Sequence, residues 1–257
     1  MALIVLAAGS GSPGTTTAAL GLALAWPRPV LLVEADPAGA SAVLAGFCRG
    51  TVAHDRGLVD LAVAQRNGEP LADAIEGVTI ELPGTGVPFV PGPSRAASAT
   101  SLPELWPALI PVLRARHDAG SDVIVDFGRL SARGSADALL TAADLVLLVT
   151  RSRLVDIAVA RSRAAALLDE FGDRSVPVDT LRLLLVGEGR PYGRREVAAA
   201  TGLVVAGALP WDPAGAAVYS DGEPRGRRAP RLERALGAAA GSIANWLGER
   251  PALRGAA

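Results

Sequence analysis

The stretch Leu3–Pro37 admits few folds. Leu3–Ala8 is a near-continuous apolar run, the pattern of a parallel strand covered on both faces. A Gly/Ser turn follows, and Thr15–Trp26, mainly Ala and Leu behind three Thr residues, reads as a helix that stops before Pro27 and Pro29. Val30–Glu34 is the next apolar strand and ends at Glu34-Ala35-Asp36-Pro37. Strand, loop, helix and strand make a βαβ unit. Its loop amides and helix N-terminus favour an anion.

Inside the turn, Gly9-x-x-x-x-Gly14-x-Thr16 has the spacing of a phosphate-binding P-loop, where the residue before the final hydroxyl is Lys. Here it is Thr15, and the chain contains no Lys: the 25 residues counted as Lys+Arg are all Arg. Gly11 and Gly14 let consecutive amides approach phosphate without a Cβ collision. Thr16 stands at the magnesium-coordinating hydroxyl position, and Thr17 continues the phosphate contacts. Thr15 has neither the charge nor the reach of a Lys ammonium. The loop is therefore expected to cradle phosphate through its backbone while hydrolysis is weak or absent. The plainer alternative is a Gly/Ser turn with capping Thr residues and no ligand.

Two carboxylates fit the same site. Asp36 follows the second strand and suits a role in holding magnesium or orienting the attacking water. Asp126 ends Asp122-Val123-Ile124-Val125-Asp126, a pattern suited to a second acidic position. A turn role for Asp36 before Pro37 and a helix-cap role for Asp126 are the competing readings. The loop also reads Gly9-x-Gly11-x-x-Gly14, with Glu34 twenty residues beyond at a strand end. That is the spacing of a dinucleotide-binding Rossmann fingerprint, with Glu34 available to a ribose hydroxyl.

Further strands are expected at Val87–Val90, Asp122–Asp126, Asp144–Thr150, Leu181–Val186 and Leu203–Ala208, with helices at Leu102–Ala119, Leu154–Phe171, Arg194–Ala200 and Arg231–Leu247. This rhythm predicts one α/β domain over residues 1–257: a mostly parallel sheet with helices on both faces, a three-layer sandwich of the P-loop NTPase kind. Pro210–Arg231 reads as a loop near strand carboxyl ends, where such sheets bind ligands. The 26 acidic residues leave a net charge of -1, so no global basic field points to nucleic acid. A local patch of Arg225, Arg227, Arg228, Arg231 and Arg234 suits DNA phosphates or an acidic partner. Cys48 is the only cysteine, which excludes an intrachain disulfide and suits a reducing, cytoplasmic interior. The opening apolar run is too short to span a membrane and is expected to be neither signal peptide nor anchor.

Taken in order, Gly9–Thr17, Val30–Pro37, Asp122–Arg129, Leu145–Thr150 and Gly207–Asp212 resemble the ParA/MinD family of deviant P-loop ATPases. That family includes partitioning ATPases, division-site positioning ATPases and localisation proteins of the CpaE/TadZ type. Its loop carries one Lys that reaches across a nucleotide-sandwiched dimer and another beside the final hydroxyl; Ser10 and Thr15 occupy those places. The resemblance implies ATP or ADP with magnesium held by Gly9, Ser10, Gly11, Gly14, Thr15, Thr16, Thr17, Asp36 and Asp126, with Pro210 in the segment that flanks the base. The family's usual Asn before that segment is not evident near Gly187-Glu188-Gly189. Gly57–Leu61 and Val87–Pro93 resemble connecting regions of the CpaE/TadZ-like branch. The implied protein is a degenerate regulatory or localisation scaffold that forms a homodimer and binds a protein partner. It would be cytoplasmic and recruited to the cell pole or inner membrane, with or without bound nucleotide. An active magnesium ATPase and a DNA-associated positioning protein are the alternatives.

Overall fold

The computed structural model describes residues 2–11, 13–118, 120–130, 138–224 and 231–250. Eight strands form one sheet in the order β3-β4-β2-β5-β1-β6-β7-β8. They are β1 (Leu3–Ala8), β2 (Val30–Glu34), β3 (Ile80–Glu81), β4 (Pro88–Val90), β5 (Asp122–Arg129), β6 (Leu145–Arg151), β7 (Leu181–Val186) and β8 (Val205–Leu209). All neighbours run parallel except the short β3, which pairs antiparallel with β4 at the edge.

Alternate residues of β1 enter two separate cores. Leu3, Val5 and Ala7 join one, and Ile4 and Leu6 join the other, because successive side chains of a strand point to opposite faces. The first core is covered by α2 (Leu58–Arg66), α3 (Leu71–Val78), α4 (Leu102–Asp118), α5 (Ala138–Ala142), α6 (Leu154–Asp173) and α7 (Arg194–Thr201). The second lies under α1 (Thr15–Leu24), α8 (Pro213–Ser220) and α9 (Arg231–Glu249). Helices on both faces of a mostly parallel sheet agree with the expected fold class.

β1 lies between β5 and β6. The chain leaves β1 through α1 on one face and returns to β2, whereas it leaves β5 through α5 on the other face and returns to β6. This reversal beside β1 is the topological switch point where such sheets bind ligands, at the strands' carboxyl ends. The Gly9–Thr17 loop sits there.

A buried carboxylate ties the other end of these strands together. Asp122, fully buried at the start of β5, accepts from the Ala2 amide (2.6 Å), Trp26 Nε1 (2.7 Å) and Arg28 Nε (2.8 Å), and Arg28 also closes a 2.8 Å ion pair. Such a carboxylate is stable only with its lone pairs occupied.

Several elements differ from the sequence reading. β5 continues past Asp126 to Arg129, so Asp126 is a strand residue and not a helix cap. Pro210–Arg231 contains α8, capped by Asp212, which accepts from the Gly215 amide (3.0 Å) with Pro213 at the first helical position. β8 spans Val205–Leu209, shifted toward the carboxyl end of the expected Leu203–Ala208.

Candidate functional site

The phosphate loop departs from β1 at Gly9, whose amide bonds to the Val149 carbonyl of β6 (3.2 Å). Gly11 and Gly14 have φ of +52° and +92°, the left-handed region that glycine enters without penalty. Gly14 precedes α1 and no side chain caps the helix; the first helical bond is Ala18 N to Gly14 O (2.8 Å). The Thr residues therefore do not cap this helix. An uncapped N-terminus behind a left-handed glycine leaves the first-turn amides and the helix dipole facing the loop, the arrangement that receives an anion.

The loop side chains depart from a charged P-loop. Thr15 is buried, and its hydroxyl makes no hydrogen bond. Ser10 donates to Asp156 Oδ1 (2.9 Å) in the first turn of α6, and Arg153 Nε donates to Asp156 Oδ2 (2.7 Å). Burial would raise the Asp156 carboxyl. The hydrogen bonds from Arg153 and Ser10, with the charges of Arg153 and Arg151, overcome that and hold it below its ordinary range. Ser10 is thus a hydroxyl bound to a carboxylate, which is in turn paired to a guanidinium. Asp156 carries a sequence signal, an Arg–Asp pair three residues apart just after an apolar strand.

Asp126 is 2% exposed, and its Oδ2 has no hydrogen-bond partner. Its Oδ1 accepts from the Gly128 amide (3.1 Å). Burial pushes its carboxyl up to about 7; a Thr16 hydrogen bond opposes that, the Glu34 charge adds to it, the Gly128 amide opposes it and the Asp36 charge adds again. Asp126 therefore lies near Thr16 and Asp36, since β5 and β2 are neighbouring strands. Among the described residues no group of three His, Cys, Asp or Glu is placed to hold a metal ion, so a cation here would keep several waters, as magnesium does. The orphaned buried Oδ2 fits such an ion.

Gly128 makes the approach of Asp36 possible. Its φ is +70°, and a Cβ there would lie 2.3 Å from the Asp36 carboxyl carbon. The β1–β5 register slips at this point, Leu6 facing Asp126 and Ala7 facing Gly128, a bulge that re-aims the strand end. Asp36 Oδ1 also accepts from the Ala38 amide (2.8 Å), so the turn role before Pro37 is real and coexists with the placement beside Asp126.

Glu34 does not reach a ribose. It is 3% exposed, with Oε1 bonded to the Ala42 amide (3.0 Å) and Oε2 to the Gly92 amide (3.2 Å). Burial raises its carboxyl against hydrogen bonds from Ser41, Gly92, Val43 and Ala42. Both oxygens staple neighbouring loops. This corrects the dinucleotide reading, because a strand-end acid is free for a ribose only if it projects to the rim.

Beyond Arg153 the carboxyl ends of β6, β7 and β8 enclose a cavity of ≈ 210 Å³, lined by Arg151, Ser152, Arg153, Val186, Gly187, Arg190 and Trp211. Trp211 follows Pro210, and the Arg151 guanidinium lies 4.8 Å from its ring centre, a cation–π contact. Arg151 is half-buried against that ring, and Arg153 stays exposed at the cavity's rim. Of the basic patch, Arg225, Arg227 and Arg228 lie outside the described residues, and Arg231 and Arg234 are on exposed positions of α9.

The fold and this edge define a ParA/MinD-type P-loop NTPase architecture. The chain resembles the ParA family ATPase of Chlorobium tepidum TLS with TM-score 0.70 and 16% identity, covering 93% of this chain and 97% of that one. It resembles the cell division ATPase MinD of Pyrococcus furiosus with TM-score 0.71 and 18% identity, covering 96% and 100%. MinD of Pyrococcus horikoshii OT3 in complex with Mg-ADP matches with TM-score 0.70 and 16% identity, covering 98% and 99%. No family model and no curated protein matches the sequence. Its structural neighbours are ParA/MinD ATPases, and the shared fold spans nearly the whole chain. Among the described residues no helix is long and apolar enough to cross a membrane.

Proposed function

We propose that this protein is a nucleotide-binding regulatory or positioning scaffold of ParA/MinD type that binds a magnesium nucleotide and hydrolyses it weakly or not at all. One observation carries this reading: the loop keeps its uncapped amide cradle, while Ser10 is bonded to Asp156 and Thr15 buries an unpartnered hydroxyl where the family's ammonium groups stand. Loop amides hold the phosphates. Thr16 and Asp126, with Asp36 beside them, would hold magnesium, which supplies charge neutralisation at the phosphates. A neighbour of this fold complexed with Mg-ADP supports the binding of a magnesium nucleotide. Without a loop Lys, the charge that develops on a transferred phosphoryl group lacks its main protein-borne stabiliser, which depresses turnover more than binding. Self-association follows from the family resemblance, but Ser10 supplies no charge across a dimer, so any dimer forms through other contacts. A protein partner would recruit the scaffold.

The test is ATP, ADP and GTP titration by calorimetry with and without magnesium, alongside turnover and oligomer mass. Binding without appreciable turnover supports the proposal. Absence of binding by every nucleotide rejects the nucleotide-dependent scaffold, and robust turnover abolished by Asp36→Ala rejects the weak-hydrolysis assignment.

A further inference from the structure

The phosphate loop has no cationic side chain of its own, so a guanidinium that meets the phosphates has to come from a neighbouring strand. β1, which feeds the loop, is flanked by β6 and β5. On the β6 side the arginines are committed: the Arg151 guanidinium stacks on Trp211, and Arg153 is bound to Asp156 (2.7 Å). On the other side β5 ends in Arg129. Arg129 is the register partner of Ala8, the last residue of β1, and the next amide, that of Leu130, bonds to the Ala8 carbonyl (3.3 Å). Paired strands lie about 4.8 Å apart, so Arg129 stands beside the point where Gly9 leaves the sheet.

The bulge in β5 sets which way this residue faces. Val125 and Phe127 both pack on the core beneath α2 to α7, and a regular strand would send residue 129 to the same core. Instead the register slips between Leu6 and Ala7, Gly128 takes a φ of +70°, and Leu130 enters that core. Arg129 is thereby turned to the opposite face, which α1 covers, and it is exposed. Bulges beside functional sites re-aim side chains in this manner. Two features on that side call for a ligand. The first-turn amides of α1 are uncapped, and Asp126, three residues before Arg129, keeps its buried Oδ2 without a hydrogen-bond partner.

We infer that Arg129 is a nucleotide-binding residue whose guanidinium contacts the terminal phosphate, reaching the site from β5 and not from the loop. This rests on the nucleotide-binding reading above. Loop amides and the α1 N-terminus surround the inner phosphates, and a magnesium ion bridging the outer two would sit against Thr16 and Asp126. A strand end three residues beyond Asp126 borders the outermost phosphate. The planar donor fork of arginine matches phosphate oxygens, and its charge persists at every working pH. Such a contact strengthens triphosphate binding and leaves the loop without its ammonium.

The experiment is calorimetric titration of the intact chain with ATP and with ADP, each with magnesium. Arg129→Ala is expected to weaken ATP binding roughly 10- to 100-fold, the effect of losing one charge-assisted hydrogen bond. ADP affinity is expected to change little, so the ATP/ADP ratio falls. Arg129→Lys keeps a point charge and is expected to hold an intermediate ratio, whereas Arg129→Gln loses it. Adding Thr15→Lys to Arg129→Ala returns a cation to the phosphates and is expected to recover ATP affinity, which repair of a merely structural defect would not do.

If the wild-type chain binds neither nucleotide, the nucleotide-binding reading fails and this inference with it. If both bind and Arg129→Ala weakens ATP and ADP equally, or neither, the contact with the terminal phosphate alone is overturned. Should urea melts show that Arg129→Ala is unfolded, the comparison passes to the Lys and Gln variants, and equal ATP/ADP ratios in those two overturn the assignment.

Discussion

Asp126→Asn separates what the site does for binding from what it does to stability. The Asp126 carboxyl titrates near about 7 in the folded chain against an ordinary value of 3.8. At about 1.4 kcal/mol for each pH unit between those values, holding it ionised in the ligand-free fold costs about 4 kcal/mol. Below pH ~4 both folded and unfolded chains carry the proton, and the group does not bias folding. As pH rises from there the unfolded chain ionises first, so stability falls until about pH 7 and is then flat. Asparagine has no such dependence.

Urea denaturation of ligand-free protein at pH 5 and pH 8 gives the test. The stability of the variant relative to wild type is expected to rise between the two pH values by about 2 to 3 kcal/mol. Effects of the substitution that do not depend on pH cancel in that comparison. With a magnesium nucleotide present, wild type gains stability and the variant gains little, because only the carboxylate offers Oδ2 to the cation. A relative stability identical at pH 5 and pH 8 would refute the buried, unpaired carboxylate as the origin of the effect.

Thr15→Lys returns an ammonium to the loop and is expected to tighten nucleotide binding and raise turnover at least tenfold, checked by calorimetry and steady-state phosphate release. Gly128→Ala forces a left-handed residue against the Asp36 carboxyl and is expected to destabilise by roughly 2 kcal/mol while weakening magnesium-dependent binding, measured by urea melts and titration. Asp122→Ala strands Trp26 Nε1, the Ala2 amide and Arg28, and a loss of about 3 kcal/mol or more is expected in chemical denaturation. An Asp122 variant as stable as wild type would contradict its role as the anchor of β1, β2 and β5.

Much of the fold is legible in the sequence because it is local. Leu3–Ala8, Val30–Glu34 and Leu181–Val186 are strands dominated by apolar residues, and the structure places each with those bounds. α6 and α9 begin at the expected Leu154 and Arg231. α8 is less visible, since it is short and holds Gly215, yet Asp212-Pro213 is a start signal. The β5 extension past Asp126 is not legible, because a bulge depends on the register with β1.

By itself the sequence determined the βαβ start, the glycine cradle and the absence of any lysine to charge it, because these follow from residue type and spacing. Only the tertiary structure decided what surrounds the cradle. Glu34 turns inward because two loop amides claim it, and Asp126 gives one oxygen to the Gly128 amide while its Oδ2 is left without a hydrogen-bond partner. Arg151, Arg153, Arg190 and Trp211, at or just beyond the ends of β6, β7 and β8, line one cavity because those parallel strands end at the same edge of the sheet. Long-range pairing sets which side chains share that edge, and spacing along the chain does not encode it.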